Sequence, residues 1–255
     1  MHIMITRQRE QAVTLQQKLE ASGWEVSLVP LVECVMLSPP GLEDTLAHFE
    51  SFDGLLLTSA NAVRAFYHHW QTTPGLPDFS SLSSVYEVSC VGRATARQLT
   101  AYGVKTDRLP AIAHAASLLD SLLQDDVSGR RYLFPCSVEA RDVLPAGLEL
   151  AGATVVRLPL YKMAQRSVDV TTWAEQVEAG VFDVITFTSP SIVRAFVEIF
   201  SPAFVERVRG CFVCASIGPT TSEALRAAGL VPEVEAKQPG LDGLVKAIQM
   251  WSLDD

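Results

Sequence analysis

The chain has 255 residues, 48% of them hydrophobic and 19% charged, with a formal net charge of −9. That length and apolar content suffice for one large or two small cores, and the acidic balance argues against nucleic-acid or anionic-membrane partners, which need a basic face. No apolar run reaches the length of a membrane span, and the opening M-H-I-M-I-T-R-Q-R-E has no secretory pattern, so a soluble cytoplasmic protein is expected.

Strand and helix signals alternate from the start. Ile3 to Thr6 reads as a strand, the loop Arg7 to Glu10 leaves its carboxyl end, and helix Gln11 to Ala21 stops at Ser22-Gly23. Trp24 to Val29 is a second strand. Beyond Pro30, Leu31 to Leu37 stays extended and apolar until Ser38-Pro39-Pro40, as a connector strand would. A helix over Leu42 to Phe49 precedes Phe52 to Phe66, F-D-G-L-L-L-T-S-A-N-A-V-R-A-F, which reads as a buried strand entering a helix. Strand Tyr86 to Val91, helix Thr95 to Tyr102, a short strand near Lys105 to Leu109 and helix Ala115 to Leu123 follow.

Past the polar turn Gln124 to Arg130 come strand Tyr132 to Phe134, helix Glu139 to Leu150 and strand Thr154 to Leu158. Leu160 to Gln165 is a second connector strand, and helix Thr171 to Ala179 leads to Phe182 to Phe196, F-D-V-I-T-F-T-S-P-S-I-V-R-A-F. Strand Phe212 to Ile217, a helix from about Thr221 to Ala228, strand Glu233 to Glu235 and helix Leu241 to Met250 complete the chain. Such alternation implies an α/β fold of parallel sheets with right-handed crossovers.

The chain repeats itself. Phe182 stands 130 residues after Phe52, and Phe, Asp, Thr, Ser, Val, Arg, Ala and Phe coincide between the two stretches. Val91-Gly92-Arg93-Ala94-Thr95 answers Ile217-Gly218-Pro219-Thr220-Thr221, and Val29-Pro30-Leu31 answers Leu158-Pro159-Leu160. In both long copies a serine suited to capping, Ser59 or Ser189, stands where a strand enters a helix, so free backbone N–H groups there can hold an anion. Two divisions of the chain fit the duplication. A tandem would break at Gln124 to Arg130, whereas pairing of the two connector strands would join the first strand-helix-strand unit to the end of the chain. Either gives five strands per domain.

Five cysteines fit a reducing compartment. Cys211-x-x-Cys214 falls in a predicted buried strand and has no companion ligands, so packing is expected there, and His68 and His69 read as surface residues.

The motifs together resemble the uroporphyrinogen-III synthase family. They are I-T-R near the start, V-P-L-V at Val29 to Val32, L-L-T-S-A-N-A-V at Leu56 to Val63, and V-G-x-A-T at Val91 to Thr95. R-L-P-L-Y at Arg157 to Tyr161, F-T-S-P-S-I-V-R-A-F, I-G-P-T-T at Ile217 to Thr221, and G-L-V-x-A-I at Gly243 to Ile248 continue the match across the whole chain. The resemblance implies two flavodoxin-like doubly wound domains. One comprises residues 1–32 with 168–255 and the other 39–158; residues 33–38 and 159–167 form a two-stranded antiparallel linker, and the active site lies in the cleft between the domains. Joined so thinly, the domains are expected to move relative to each other.

The resemblance further implies cyclisation of hydroxymethylbilane to uroporphyrinogen III, with loss of water and inversion of ring D. No metal and no organic cofactor takes part, and the chain itself shows no G-x-G-x-x-G, metal-ligand cluster or Ser/His/Asp pattern. Expected partners are the bilane and, transiently, the preceding deaminase, with the protein a monomer. Tyr161 matches the family's cleft tyrosine and is the expected proton donor. Thr58, Ser59, Thr95, Ser189 and Thr221 at the junctions, with Arg7 and Arg93 after strand ends, are the expected carboxylate contacts. Pro135-Cys136-Ser137 and Gly240 depart from the family pattern, where an Arg-Gly pair and a Thr are usual. The competing readings are a non-catalytic two-lobed binder of a small polycarboxylate, a class usually exported, and a glycosyltransferase, for which the chain is short.

Overall fold

In the computed structural model, which describes residues 1–166, 168–238 and 240–254, the elements follow the apolar patterning. Ser167, Pro239 and Asp255 lie outside the described residues, as do therefore the last positions of the expected segments 159–167 and 168–255. Strand β1 (His2–Ile5), helix α1 (Arg9–Glu20), β2 (Glu25–Leu28) and β3 (Val32–Met36) come first. Then follow α2 (Leu42–Ala47), β4 (Gly54–Leu57), α3 (Ala60–Thr72), the one-turn α4 (Leu82–Val85), β5 (Glu87–Cys90), α5 (Arg93–Ala101) and α6 (Ala115–Leu122). β6 (Arg131–Ser137), α7 (Val143–Leu150), β7 (Thr154–Gln165), α8 (Val170–Glu178), β8 (Val184–Phe187) and α9 (Pro190–Phe200) continue the chain. It ends with α10 (Pro202–Arg207), β9 (Val213–Ser216), α11 (Pro219–Ala227), β10 (Val234–Glu235) and α12 (Leu241–Asp254).

The strands form two five-stranded sheets, ordered β10-β9-β8-β1-β2 and β3-β7-β6-β4-β5. The chain divides into unit 1, Met1–Glu33 with Ala164–Asp255, and unit 2, Cys34–Met163. All pairings of the first sheet are parallel, and so are β4 with β5, β4 with β6 and β6 with β7. The partners of β3 run in the opposite sense: Leu37 donates to Leu160 O and Arg166 donates to Leu31 O, so β3 and the end of β7 are antiparallel. Helices cover both faces of each sheet, which is why β4 and β8 are buried at every residue.

The two units are built from the same plan with their halves exchanged. Arg131 and Thr154, paired across β6 and β7, stand 129 residues after His2 and Glu25, paired across β1 and β2. Unit 1 therefore joins the first βαβ of one copy to the second half of the other, and unit 2 does the converse. The repeated aspartates show how the junctions are pinned. Asp53 accepts the N–H of Arg131 at 2.7 Å and Asp183 accepts that of His2 at 2.6 Å, each carboxylate satisfying the first donor of the neighbouring strand.

Where the copies differ, volume is conserved across the sheet. Gly54 faces Tyr132 in unit 2, whereas Val184 faces Ile3 in unit 1. A Cβ on Gly54 would stand 2.9 Å from the Tyr132 ring, so the larger ring leaves room only for glycine.

Several expectations need correction. The strand expected at Lys105 to Leu109 is one isolated bridge, Ser89 with Arg108, because Pro110 has no N–H to extend it. Thr154 to Leu158 and Leu160 to Gln165 are one strand. Cys136 faces Pro159 and Ser137 faces Tyr161, so the extra residue bulges where proline lacks its donor, and pairing resumes beyond it. The helix expected from Glu139 starts only at Val143, and α4 and α10 were not foreseen. His69 is buried rather than exposed: its Nε2 lies 2.9 Å from Leu37 O, tying α3 to the end of β3. Of Cys211 and Cys214 only the second is in a strand and buried, while Cys211 is exposed.

Candidate active site

The carboxyl ends of β4 and β5 lie side by side, since Leu57 pairs with Cys90. At the first, Thr58-Ser59 turns the chain into α3. Ser59 is extended and its Oγ accepts the Ala62 N–H at 3.0 Å, which is ordinary N-capping. The same Oγ lies 2.7 Å from the hydroxyl of Tyr161 on β7. A serine hydroxyl has two lone pairs and one proton. With one lone pair on Ala62, Ser59 can still receive the phenol proton or donate its own. The Tyr161 ring is part of the core, only 6% exposed, and burial pushes its phenol above the usual value, partly offset by the Ser59 hydrogen bond. Neutral phenol is therefore held at the positive end of α3.

The other junctions differ in what they present. Arg93 is the exposed first residue of α5, whose N-cap is Gly92, with no side-chain cap. Thr95 is the third residue of that helix and 3% exposed, so its hydroxyl faces the interior. In unit 1, β1, β8 and β9 end together, with Ile5 facing Thr186 and Phe187 facing Ser216. Ser189 caps α9 through Ile192 N–H at 3.4 Å and bonds Ser191 Oγ at 2.8 Å. Arg7, half-buried just past β1, donates to Gln11 Oε1 at 2.6 Å. Thr221 is 3% exposed and its N–H is already taken by Gly218 O at 3.0 Å. Unit 2 thus brings Thr58, Ser59 and Tyr161 together, with Arg93 and Thr95 at the adjoining junction, and unit 1 brings Arg7, Ser189 and Thr221 to one sheet end.

The copies are not equivalent here. Val29-Pro30-Leu31 answers Leu158-Pro159-Leu160, so Val32 occupies the position of Tyr161. Val32 packs in one apolar cluster with Ile192 and Val193 of α9. Among the described residues unit 2 sets a phenol against its capping serine, whereas the capping serine of unit 1 meets the Ser191 hydroxyl.

Comparison with known proteins agrees with the architecture and goes beyond it. The sequence model described as "Uroporphyrinogen-III synthase HemD" matches residues 13–246. The chain belongs to the uroporphyrinogen-III synthase family. A uroporphyrinogen-III synthase of Synechococcus elongatus is 31% identical over 98% of this chain and 95% of its own. One of Chlorobaculum parvum is 29% identical, with 91% of each chain covered. Among solved structures, a mutant uroporphyrinogen III synthase of Thermus thermophilus shares the fold with a TM-score of 0.65 at 18% identity, covering 100% of this chain and 99% of that one. The uroporphyrinogen-III synthetase of Helicobacter pylori has a TM-score of 0.65 at 19% identity, with 98% and 99% covered. This family member is accordingly a lyase of tetrapyrrole biosynthesis that acts on a small molecule, and the polycarboxylate-binder alternative has no support.

The two departures from the expected pattern both lie among the described residues. Gly240 has φ 124°, which a threonine would adopt only with strain. Pro135-Cys136-Ser137 ends β6, with the Cys136 thiol buried and pushed up, and Ser137 Oγ accepting the Glu139 N–H at 3.0 Å. Residues that pattern reading passed over include His114 and Arg141, which line a crevice of about 240 Å³ with Thr58. Neither belongs to a duplicated motif: His114 directly precedes α6, and Arg141, expected inside a helix from Glu139, lies in the connection before α7.

Proposed function

We propose that Tyr161 protonates the departing hydroxyl of hydroxymethylbilane, and that the strand-to-helix junctions hold its carboxylates while the chain closes to uroporphyrinogen III with ring D inverted. The observation that carries this is the 2.7 Å hydrogen bond between Tyr161 and Ser59 at the start of α3. As the C–O bond breaks, the phenol proton goes to the leaving oxygen, which departs as water, and electrons of the pyrrole fill the vacancy at carbon. The phenolate left behind is met by the Ser59 O–H and the positive end of α3. Burial raises the Tyr161 phenol, so its proton stays in place at rest.

The carboxylate contacts in this reading are Thr58, Ser59 and Arg93 in unit 2 and Ser189 and Arg7 in unit 1. Thr95 and Thr221 are each the buried third residue of a junction helix and do not themselves reach the carboxylates. The finer architecture belongs to the same proposal: two flavodoxin-like domains, 1–32 with 168–255 and 39–158, linked by 33–38 and 159–167. We read the protein as cytoplasmic, in line with five free cysteines and with no described helix long and apolar enough to cross a membrane. A bilane that closes unaided favours direct transfer from the deaminase that makes it.

Freshly made bilane and separation of the isomers test the reading, since spontaneous closure gives isomer I. Loss of one general acid typically costs about 10²–10⁴-fold, and water replaces a phenol in part, so Tyr161→Phe should slow isomer III by roughly 10- to 100-fold while still making III. A Tyr161→Phe variant turning over at the wild-type rate would leave Tyr161 a packing residue.

A further inference from the structure

The strand order of unit 2 reverses between β4 and β6. From β4 the chain crosses to β5 on one side, and from β6 to β7 on the other. Ligands of doubly wound sheets bind outside the carboxyl ends at such a point, and the crevice of about 240 Å³ opens there. Val91, Phe134 and Leu144 supply its apolar wall, and Thr58, His114 and Arg141 its polar side.

Arg141 is exposed and makes no hydrogen bond or ion pair with any described residue, and the His114 ring likewise has no hydrogen-bond or ion-pair partner among them. The neighbouring carboxylate, Asp142, is engaged by Arg157 instead. Duplication separates what the fold needs from what it does not. At the offset of 129 residues seen in the paired strands, Phe134 and Leu144 correspond to Ile5 and Leu15, both fully buried, whereas Arg141 corresponds to the buried Ala12. The apolar wall is kept by both copies as packing. The guanidinium is peculiar to unit 2 and is not used by any partner among the described residues.

We propose that this crevice holds one pyrrole ring of the substrate, with a carboxylate side chain on Arg141 and the ring edge against Val91 and Phe134. The inference rests on the bilane-cyclising activity of the family, and not on the role of Tyr161. Sites for whole drug-sized ligands run to roughly 300–1,000 Å³, so a crevice of about 240 Å³ suits one ring of a tetrapyrrole and not the whole. The planar guanidinium takes a carboxylate through two parallel N–H bonds. The Thr58 hydroxyl and the His114 ring add hydrogen-bonding groups beside it.

The probe is a single pyrrole carrying one acetate and one propionate, titrated into the full-length protein by calorimetry or NMR. Wild type should bind it, and Arg141→Gln should bind at least about tenfold more weakly, the loss expected for one charge-assisted hydrogen-bond pair. Arg141→Lys should fall between, keeping the charge without the fork. Ala113→Leu, at an exposed position lining the crevice, should block binding while leaving the melting temperature unchanged. With the bilane, Arg141→Gln should raise KM more than it lowers kcat. Tyr161→Phe should bind the probe as wild type does, so failure of the acid role and failure of this site are told apart. Equal probe affinity in wild type, Arg141→Gln and Ala113→Leu, or no binding by wild type at all, overturns the proposal.

Discussion

Ser59 and Ser189 do the same structural task and differ in the hydroxyl that each meets, Tyr161 for the first and Ser191 for the second. Each caps its helix, and loss of such a cap costs about 1 kcal/mol, so Ser59→Ala and Ser189→Ala should lower stability by similar amounts in denaturant titrations. Only Ser59 also meets a phenol, at 2.7 Å, because Tyr161 stands where the other copy has Val32. Ser59→Ala should therefore slow isomer III formation several-fold beyond any stability effect, and Ser189→Ala should slow it less. Equal rate losses in the two variants at matched folded fraction would remove Ser59 from the chemistry. Burial raises the Tyr161 phenol, so the acid form persists through neutral pH and the contribution of Tyr161 should decline only above its ordinary value near pH 10.

At the scale of elements, the exchange of Gly54 and Tyr132 for Val184 and Ile3 is the sharpest compensation. The two pairs hold equivalent positions between the central strands of their sheets. Gly54→Val alone forces a side chain onto a ring 2.9 Å from its Cβ and should cost about 1–3 kcal/mol or more. Tyr132→Ile alone leaves a void and should cost a comparable amount. Made together they reproduce the unit 1 pair, so the double variant should recover about 0.5–3 kcal/mol relative to the sum of the singles. Purely additive losses in a double-mutant cycle would show that the two sites adapt independently. The bulge after Pro159 is the other device at this scale, since it lets one strand serve both the parallel sheet and the antiparallel pair with β3.

For the molecule as a whole, stability at high pH should be asymmetric. Cys90, Cys136 and Cys214 are buried and each thiol is pushed up, chiefly by burial; Tyr86, Tyr102, Tyr132 and Tyr161 are raised for the same first reason. A group whose folded pKa exceeds its unfolded value holds its proton more tightly in the native state. Its contribution is intact below the unfolded value and lost as pH climbs from there through the folded one. The melting temperature should thus be flat between about pH 7 and 8 and fall as pH passes the ordinary thiol and phenol range of roughly 8.5–10. Cys214→Ala should shallow that fall, because Cys214 is raised furthest, with Glu233 adding to the burial effect. An unchanged slope in that variant would assign the alkaline loss to the other groups.

Most of the order of strands and helices, the duplication and the capping serines follow from the sequence alone, because they depend on local spacing: apolar runs of strand length, Ser before a helical stripe, Gly or Pro at breaks. The family follows from many short motifs kept in order, none of them decisive singly. What spacing could not decide is which strands pair across the chain. A strand-helix-strand unit is sticky at both edges, and Gln124 to Arg130 reads like any domain break. The choice rests on long-range hydrogen bonds such as Leu37 to Leu160 and Asp53 to Arg131, between residues far apart in the chain. For the same reason the contact of Ser59 with Tyr161, separated by 102 residues, and the crevice shared by Thr58, His114 and Arg141 exist only once the sheet of unit 2 has formed.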